Sequence, residues 1–190
     1  MLKLVKPNTR NIKAFKKVMK EFDADIGTGL YTQGVLKMIH QIEEGQESEL
    51  LKSIQQNDKN NLITCYWLMD DDNYIGCFTF SHNLDKDRMQ RGGNLGYNIL
   101  PSRRRQGYAY TGLKMVLSEI SKSGFDKILI TCGIDNEKSF NLIKKVFNEF
   151  GGKFLSDSRL GEHRVWLNTK NSSKVKRFIT RLKNKLLNFL

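Results

Sequence analysis

Arg104, Arg105, Gln106, Gly107, Tyr108 and Ala109 are six consecutive residues that gather positive charge, a glycine and a small side chain in one place. They follow an apolar run that breaks at Pro101 and precede a stretch of helical periodicity, so the predicted local structure is strand, turn, helix. Such a turn aims unpaired backbone N–H groups and guanidinium charge at one point, which is how a phosphate is held. Gly107 would let the backbone approach a pyrophosphate, and Ala109 would keep that approach open. A plain helix-start turn is the alternative reading of Gly107. Two other phosphate motifs are absent: there is no Gly-x-x-x-x-Gly-Lys-Ser/Thr and no Gly-x-Gly-x-x-Gly.

The elements that must position this turn follow from periodicity. Leu2 and Leu4 alternate in a short strand that Pro7 stops. Thr9 is placed to cap a helix over residues 10–22, with Ile12, Phe15, Val18, Met19 and Phe22 on one face. Gly27, Gly29 and Gly34 mark a loop, and helices are predicted over 35–44 and 47–56. Strands are expected over 62–69 and 74–80, joined by the polar turn at 70–73, with the next strand over 94–100 beyond a loop at 83–92. A helix at 107–122 ends at Gly124, and residues 127–132 form a nearly all-apolar strand, the pattern of a strand covered on both faces. A helix at 136–150, two closing strands at 153–155 and 164–167, and an amphipathic helix at 175–190 complete the order. The expected fold class is α/β, an α+β domain over residues 1–170 with a mixed central sheet of about seven strands and flanking helices, followed by a basic amphipathic helix at 171–190.

Arg104-x-x-Gly107-x-Ala109, set between a strand and a helix, resembles the signature of the GNAT superfamily of acetyl-CoA-dependent N-acetyltransferases. The flanks are similar to that superfamily as well: Leu95 to Pro101 before the signature, Ile128 to Cys132 followed by Asp135, Asn136 and Ser139 after it, and the closing pair at Gly151-Gly152 and Arg164 to Leu167. The resemblance covers about residues 1–168 and extends to a bacterial branch of predicted acetyltransferases. It implies that the fourth and fifth strands splay apart, with the pantetheine arm of CoA in the gap against the backbone of Tyr97 to Ile99. It implies cofactor contacts from Asn98, Ile99, Leu100, Arg104, Arg105, Gln106, Gly107, Tyr108 and Ala109, with the pyrophosphate on the amides of 105–109. Asn136 and Ser139 would bond the arm or order a water, unless Asn136 is only a helix cap and Ser139 only structural.

Acetyl transfer to an amine needs a base for the ammonium, donors for the developing oxyanion, and an acid for the leaving thiolate. The family often carries a carboxylate or histidine where this chain has Asn94, and asparagine orders a water but takes no proton at neutral pH. His82 is the substitute base if the returning strand sets it opposite Gly93 or Asn94. Glu21, Asp23 and Asp25 are further candidates to bind or deprotonate the acceptor, against the reading of a solvated loop. Where many members carry the acidic tyrosine this chain has Ile143, so Tyr97 is the nearest tyrosine on the cleft strand. His82, Asn94 and Tyr97 are therefore the catalytic candidates. Asn94 and Ile143 also leave open a second reading, a non-catalytic acyl-CoA-binding or surface-binding protein on the same fold.

Composition narrows the setting. The 190 residues are 39% hydrophobic and 27% charged, an ordinary globular balance, with no apolar run long enough to span a membrane and no apolar leader. Cys65, Cys77 and Cys132 are far apart and lack metal-ligand spacing, so reduced thiols, no metal and a cytoplasmic setting are expected. The net charge is +12, and Lys174, Lys176, Arg177, Arg181, Lys183 and Lys185 carry half of it with no acid among them. That segment would pack in cis or against a second copy in a homodimer, or touch an anionic membrane; no base-reading module speaks for nucleic acid. The acceptor would be a small-molecule or peptide amine.

Overall fold

The computed structural model describes residues 1–26, 33–155 and 161–170. The amphipathic helix expected at 175–190 and the glycine loop at Gly27 and Gly29 lie outside them. The chain divides into two compact units, Met1–Val116 and Leu117–Leu190.

The first unit holds a four-stranded antiparallel sheet of order β1-β2-β3-β4: β1 Leu2–Val5, β2 Ile63–Asp70, β3 Asn73–Ser81 and β4 Leu95–Ile99. The β2–β3 hairpin turns where the Asp70–Asn73 cluster predicted it. Its register slips by one residue between Leu68 and Met69, so Thr64 pairs with Phe80 and Trp67 with Cys77. One sheet face presents Cys65, Trp67, Met69 and Cys77 to a core built with α1 (Ile12–Val18), α2 (Gln33–Glu43) and α3 (Glu47–Lys59). Phe15, Trp67 and Tyr74 lock its centre, with ring centroids 4.8–5.2 Å apart. The opposite face presents Leu68 and Phe78 to Gly112 of α5 (Tyr108–Lys122), where an added Cβ would lie 2.5 Å from the Phe78 ring.

Three local expectations change. Thr9 does not cap α1: Asn8 Oδ1 accepts the N–H groups of Arg10 and Asn11, and Asn11 Oδ1 accepts that of Asn8. The two Asn side chains sit close enough to satisfy the entry turn reciprocally, which Thr9 does not. The helix also tightens to 3-10 geometry over Met19–Asp25. Within the loop at 83–92 a short helix forms, α4 (Lys86–Gln90), capped by Asp85 accepting from the Arg88 N–H at 2.8 Å.

The second unit holds β5 (Lys127–Gly133), α6 (Glu137–Phe150), β6 (Gly152–Leu155) and β7 (Glu162–Asn168) in a sheet of order β5-β7-β6. Ile128, Leu129 and Ile130 are buried in succession, as their unbroken apolar run predicted. The seven strands among the described residues thus fall into two sheets, divided at the step from β4 to β5. Every pairing within them is antiparallel, where a partly parallel sheet was expected.

Candidate active site

Pro101 ends β4 and starts a 3-10 turn over Pro101–Arg103 that leads to α5. Arg105 and Gly107 both take left-handed backbone conformations, at φ 62° and 84°. Arg105 bears that geometry at a cost, whereas Gly107 adopts it freely, and a Cβ there would meet nothing within 4 Å. The demand on Gly107 is therefore conformational, not steric. The first N–H to close a helical turn is that of Thr111, onto the Gly107 carbonyl. The N–H groups of Tyr108, Ala109 and Tyr110 precede it, at the positive end of the helix dipole. Arg103, Arg105 and Gln106 are exposed beside them.

Arg104 has a different place from its neighbours. Its Nη1 donates to Asp25 Oδ1 at 2.7 Å, its Nη2 donates to Asp25 Oδ2, and its Nε donates to the Ile99 carbonyl at 2.9 Å. Asp25 is buried, only 4% exposed, and so is not a solvated loop residue. Glu21, four residues earlier on the same 3-10 segment, accepts the Ser102 N–H at 3.1 Å, and Gln106 donates to the Ser102 carbonyl at 2.9 Å. The turn is pinned from both sides.

Along β4 the ladder alternates. The Leu100 N–H donates to Ile75 and the Ser81 N–H donates to the Asn94 carbonyl, so residues 94, 96, 98 and 100 direct their backbone groups at β3. Tyr97 and Ile99 direct theirs to the side of β4 that no other strand of this sheet occupies. Asn98 and Leu100, named above as cofactor contacts, spend their backbone groups on the ladder, and Leu100 is also buried in the core. The Tyr97 ring lies on the face of Phe78, stacked at 5.9 Å.

Asn94 is buried, and its Nδ2 donates to the Ser81 carbonyl at 3.0 Å, clasping β4 to β3. Continuing the β3–β4 register sets His82 level with Gly93. Its ring turns toward β2 beside Phe80, where Nε2 lies 2.9 Å from Thr64 Oγ1. Thr64 donates its one hydroxyl proton to Asp58 Oδ1 at 2.7 Å, and Lys6 Nζ binds the other oxygen. In neutral His82 the proton is therefore on Nε2, donated to Thr64, and Nδ1 carries the lone pair. Burial lowers the His82 pKa below 6.5; Asp58 opposes that shift and Lys6 adds to it. For Asp58, burial pushes upward but the Lys6 and Thr64 hydrogen bonds outweigh it, and its pKa falls. Sequence reasoning missed Thr64 and Asp58, because only the register slip in the hairpin brings Thr64 onto the face of His82.

In the second unit, Asn136 caps α6 with Oδ1 on the Ser139 N–H at 3.0 Å. The Ser139 hydroxyl bonds the Cys132 thiol, which burial pushes up to about 11. Ile143 is fully buried in α6, so the position that carries a tyrosine in many family members belongs here to the core. Among the described residues no group of three or more His, Cys, Asp or Glu side chains could hold a metal.

A family model described as an acetyltransferase (GNAT) domain matches residues 20–146, more than half of the chain. No curated protein matches the chain. Among solved structures, RimL, a ribosomal L7/L12 alpha-N-protein acetyltransferase in complex with coenzyme A, superposes with a TM-score of 0.61 at 16% identity, covering 88% of this chain and 92% of that one. RimJ of Mycobacterium smegmatis in complex with a CoA-disulfide gives 0.62 at 15% identity, over 88% and 81%. The microcin C7 self immunity acetyltransferase MccE in complex with acetyl-CoA and AMP gives 0.61 at 12% identity, over 90% and 92%. At these identities the likeness is one of fold.

Proposed function

The chain belongs to the GNAT acetyltransferase family, and from that premise we propose that it moves an acetyl group from acetyl-CoA to a primary amine by direct attack in a ternary complex. The observation that carries this reading is the turn before α5, whose left-handed Arg105 and Gly107 feed a helix N-terminus ringed by exposed Arg103 and Arg105. Those residues fit a pyrophosphate by charge, by donor supply and by open space at Gly107. The amides of Tyr108 and Ala109 would take the phosphate oxygens. The outward backbone groups of Tyr97 and the outward N–H of Ile99 would align the rest of the co-substrate and offer a donor to the developing oxyanion, the Ile99 carbonyl being held by Arg104.

His82 is the candidate base in this reading, with its ring on the β2 side of β3 beside Thr64. Its lowered pKa keeps it neutral at pH 7, which a proton acceptor requires. An imidazole below 6.5 facing a free ammonium near about 10 would work uphill by more than about 5 kcal/mol. His82 therefore acts best as the amine nitrogen forms its new bond and its proton becomes acidic. Asn94 takes no proton in this scheme; it holds β4 on β3 and so fixes the level of His82.

Two measurements test the proposal. Titration calorimetry with CoA should give saturable binding in the micromolar range; no heat at high micromolar CoA would remove the premise. Thiol release from acetyl-CoA across a panel of small amines, polyamines and peptide N-termini should single out one acceptor class. Binding without thiol release would favour the non-catalytic reading, which the amide at Asn94 and the core aliphatic at Ile143 support.

A further inference from the structure

We infer that Arg104, the first residue of the signature, is a positioning residue and not a phosphate ligand, and that Asp25 is its working partner. The inference rests on the reading that the turn at residues 101–109 binds CoA. A guanidinium has five N–H donors in a fixed fork. Two nitrogens of Arg104 engage both oxygens of Asp25, and Nε engages the Ile99 carbonyl, so the planar face that would grip a phosphate bidentately is committed to protein. Asp25 is buried and Arg104 is half-buried, whereas Arg103 and Arg105 are exposed on either side. Charge and structure are thus divided among three consecutive arginines: the middle one fixes the backbone, and its neighbours supply the field.

The geometry also says what the pair positions. The Ile99 carbonyl is the last outward-facing acceptor of β4, and Arg104 sits where the chain reverses after Pro101. Drawing the two together closes the turn and sets the direction in which Arg105, Gln106 and Gly107 present their amides. Glu21 acts on the same turn from the same 3-10 segment, through the Ser102 N–H. The segment Met19–Asp25 is therefore a brace for the anion turn, about eighty residues away in sequence.

The test uses the sign of one substitution. If Arg104 were a phosphate ligand held back by Asp25, Asp25→Asn would release a cation and tighten CoA binding. If it is a brace, Asp25→Asn loosens the turn, and CoA binding weakens by about tenfold, the scale typical of removing a partner that orients a ligand-binding group. Arg104→Lys, which keeps the charge and loses the fork, should weaken binding similarly. The salt dependence of the dissociation constant separates the roles further. Arg105→Gln should flatten it by removing a charge from the site, and Arg104→Lys should leave its slope unchanged. Circular dichroism and thermal melts check that each variant is folded. Tighter binding by Asp25→Asn, or unaltered binding by Arg104→Lys, overturns the inference. Absence of CoA binding by the unmodified protein overturns the functional reading instead.

Discussion

At the scale of single residues, the three arginines of the turn and His82 carry different physics. Arg105 holds a left-handed conformation that costs an L-residue about 1–2 kcal/mol. Arg105→Gly should therefore raise the melting temperature by about 2–4 °C per kcal/mol recovered, while CoA affinity falls for want of the charge. A melting curve and a calorimetric titration on the same variant would show the two effects parting. His82 gives a pH-dependent signature. Its folded pKa lies below 6.5, so the unfolded chain binds the proton more readily. Stability is fullest above pH 6.5 and falls as pH drops through 6.5 toward the lowered folded value. Urea titrations at pH 7 and pH 5 should show a smaller difference in His82→Gln than in the unmodified protein. Asp58 has the same sign of dependence in a lower window: its carboxyl is held below 3.8, and that stabilisation is present above 3.8 and lost as pH falls through it. In turnover, Thr64→Val should lower kcat several-fold by removing the group that fixes the Nε2–H tautomer, and His82→Ala more. A nitrogen-detected NMR spectrum of His82 reads the tautomer directly, and an Nδ1–H form would contradict the arrangement.

At the scale of elements, close approach decides how α5 presents its N-terminus. Gly112 lets the helix sit against β2 and β3; a Cβ would meet Phe78 Cζ at 2.5 Å and Leu68 Cδ2 at 3.1 Å. Phe78 is fully buried and stacked on Tyr97, so its ring has nowhere to move. Gly112→Ala gains about 1 kcal/mol of helix propensity and loses about 1–3 kcal/mol to overpacking. The expected result is a net loss of stability and a larger loss of CoA affinity, measurable by denaturant titration alongside calorimetry. The elements themselves were largely legible. The β2–β3 hairpin, the apolar run of β5 and the strand-turn-helix at residues 93–112 follow from period and turn chemistry, and their bounds moved by a residue or two. What was not legible depends on register and on distant pairing. A hairpin counted back from Asp70–Asn73 without a slip would put Thr64 on the face of Thr79, away from His82. The one-residue shift at Leu68/Met69 reverses that. Nothing local in Asp25 marks it as the partner of Arg104, because a carboxylate after a helix reads as solvated until the fold buries it. α4 did leave a signal, Asp85 as a cap, but its five residues hold one apolar side chain, Met89, and so no apolar face to reveal them.

At the scale of the whole chain, net charge and ligand linkage meet. The chain carries +12, and an anionic co-substrate is drawn by that field before any contact forms. Binding to the folded state alone stabilises it, by about 2.7 kcal/mol when CoA stands at a hundred times its dissociation constant. For a chain of this size that corresponds to a rise in melting temperature of about 5–11 °C. The rise should depend on salt. Going from about 0.1 M to about 1 M ionic strength shortens the screening length from about 10 Å to about 3 Å, which removes the long-range attraction and leaves the close hydrogen bonds to backbone amides. A thermal shift that shrinks with salt but persists at 1 M would mean that the turn holds CoA chiefly through its N–H groups, with the exposed arginines adding attraction. A shift abolished at 1 M would mean that general positive charge, not the turn, does the binding. Six of the cations lie in residues 171–190, so the same experiment on a chain ending at Lys170 separates the two sources. Thr169 and Lys170 anchor to the Phe125 carbonyl and to Asp126, so that cut leaves the end of β7 tied in place. The expected outcome is a CoA-induced shift that is reduced at low salt and identical to that of the full chain at high salt.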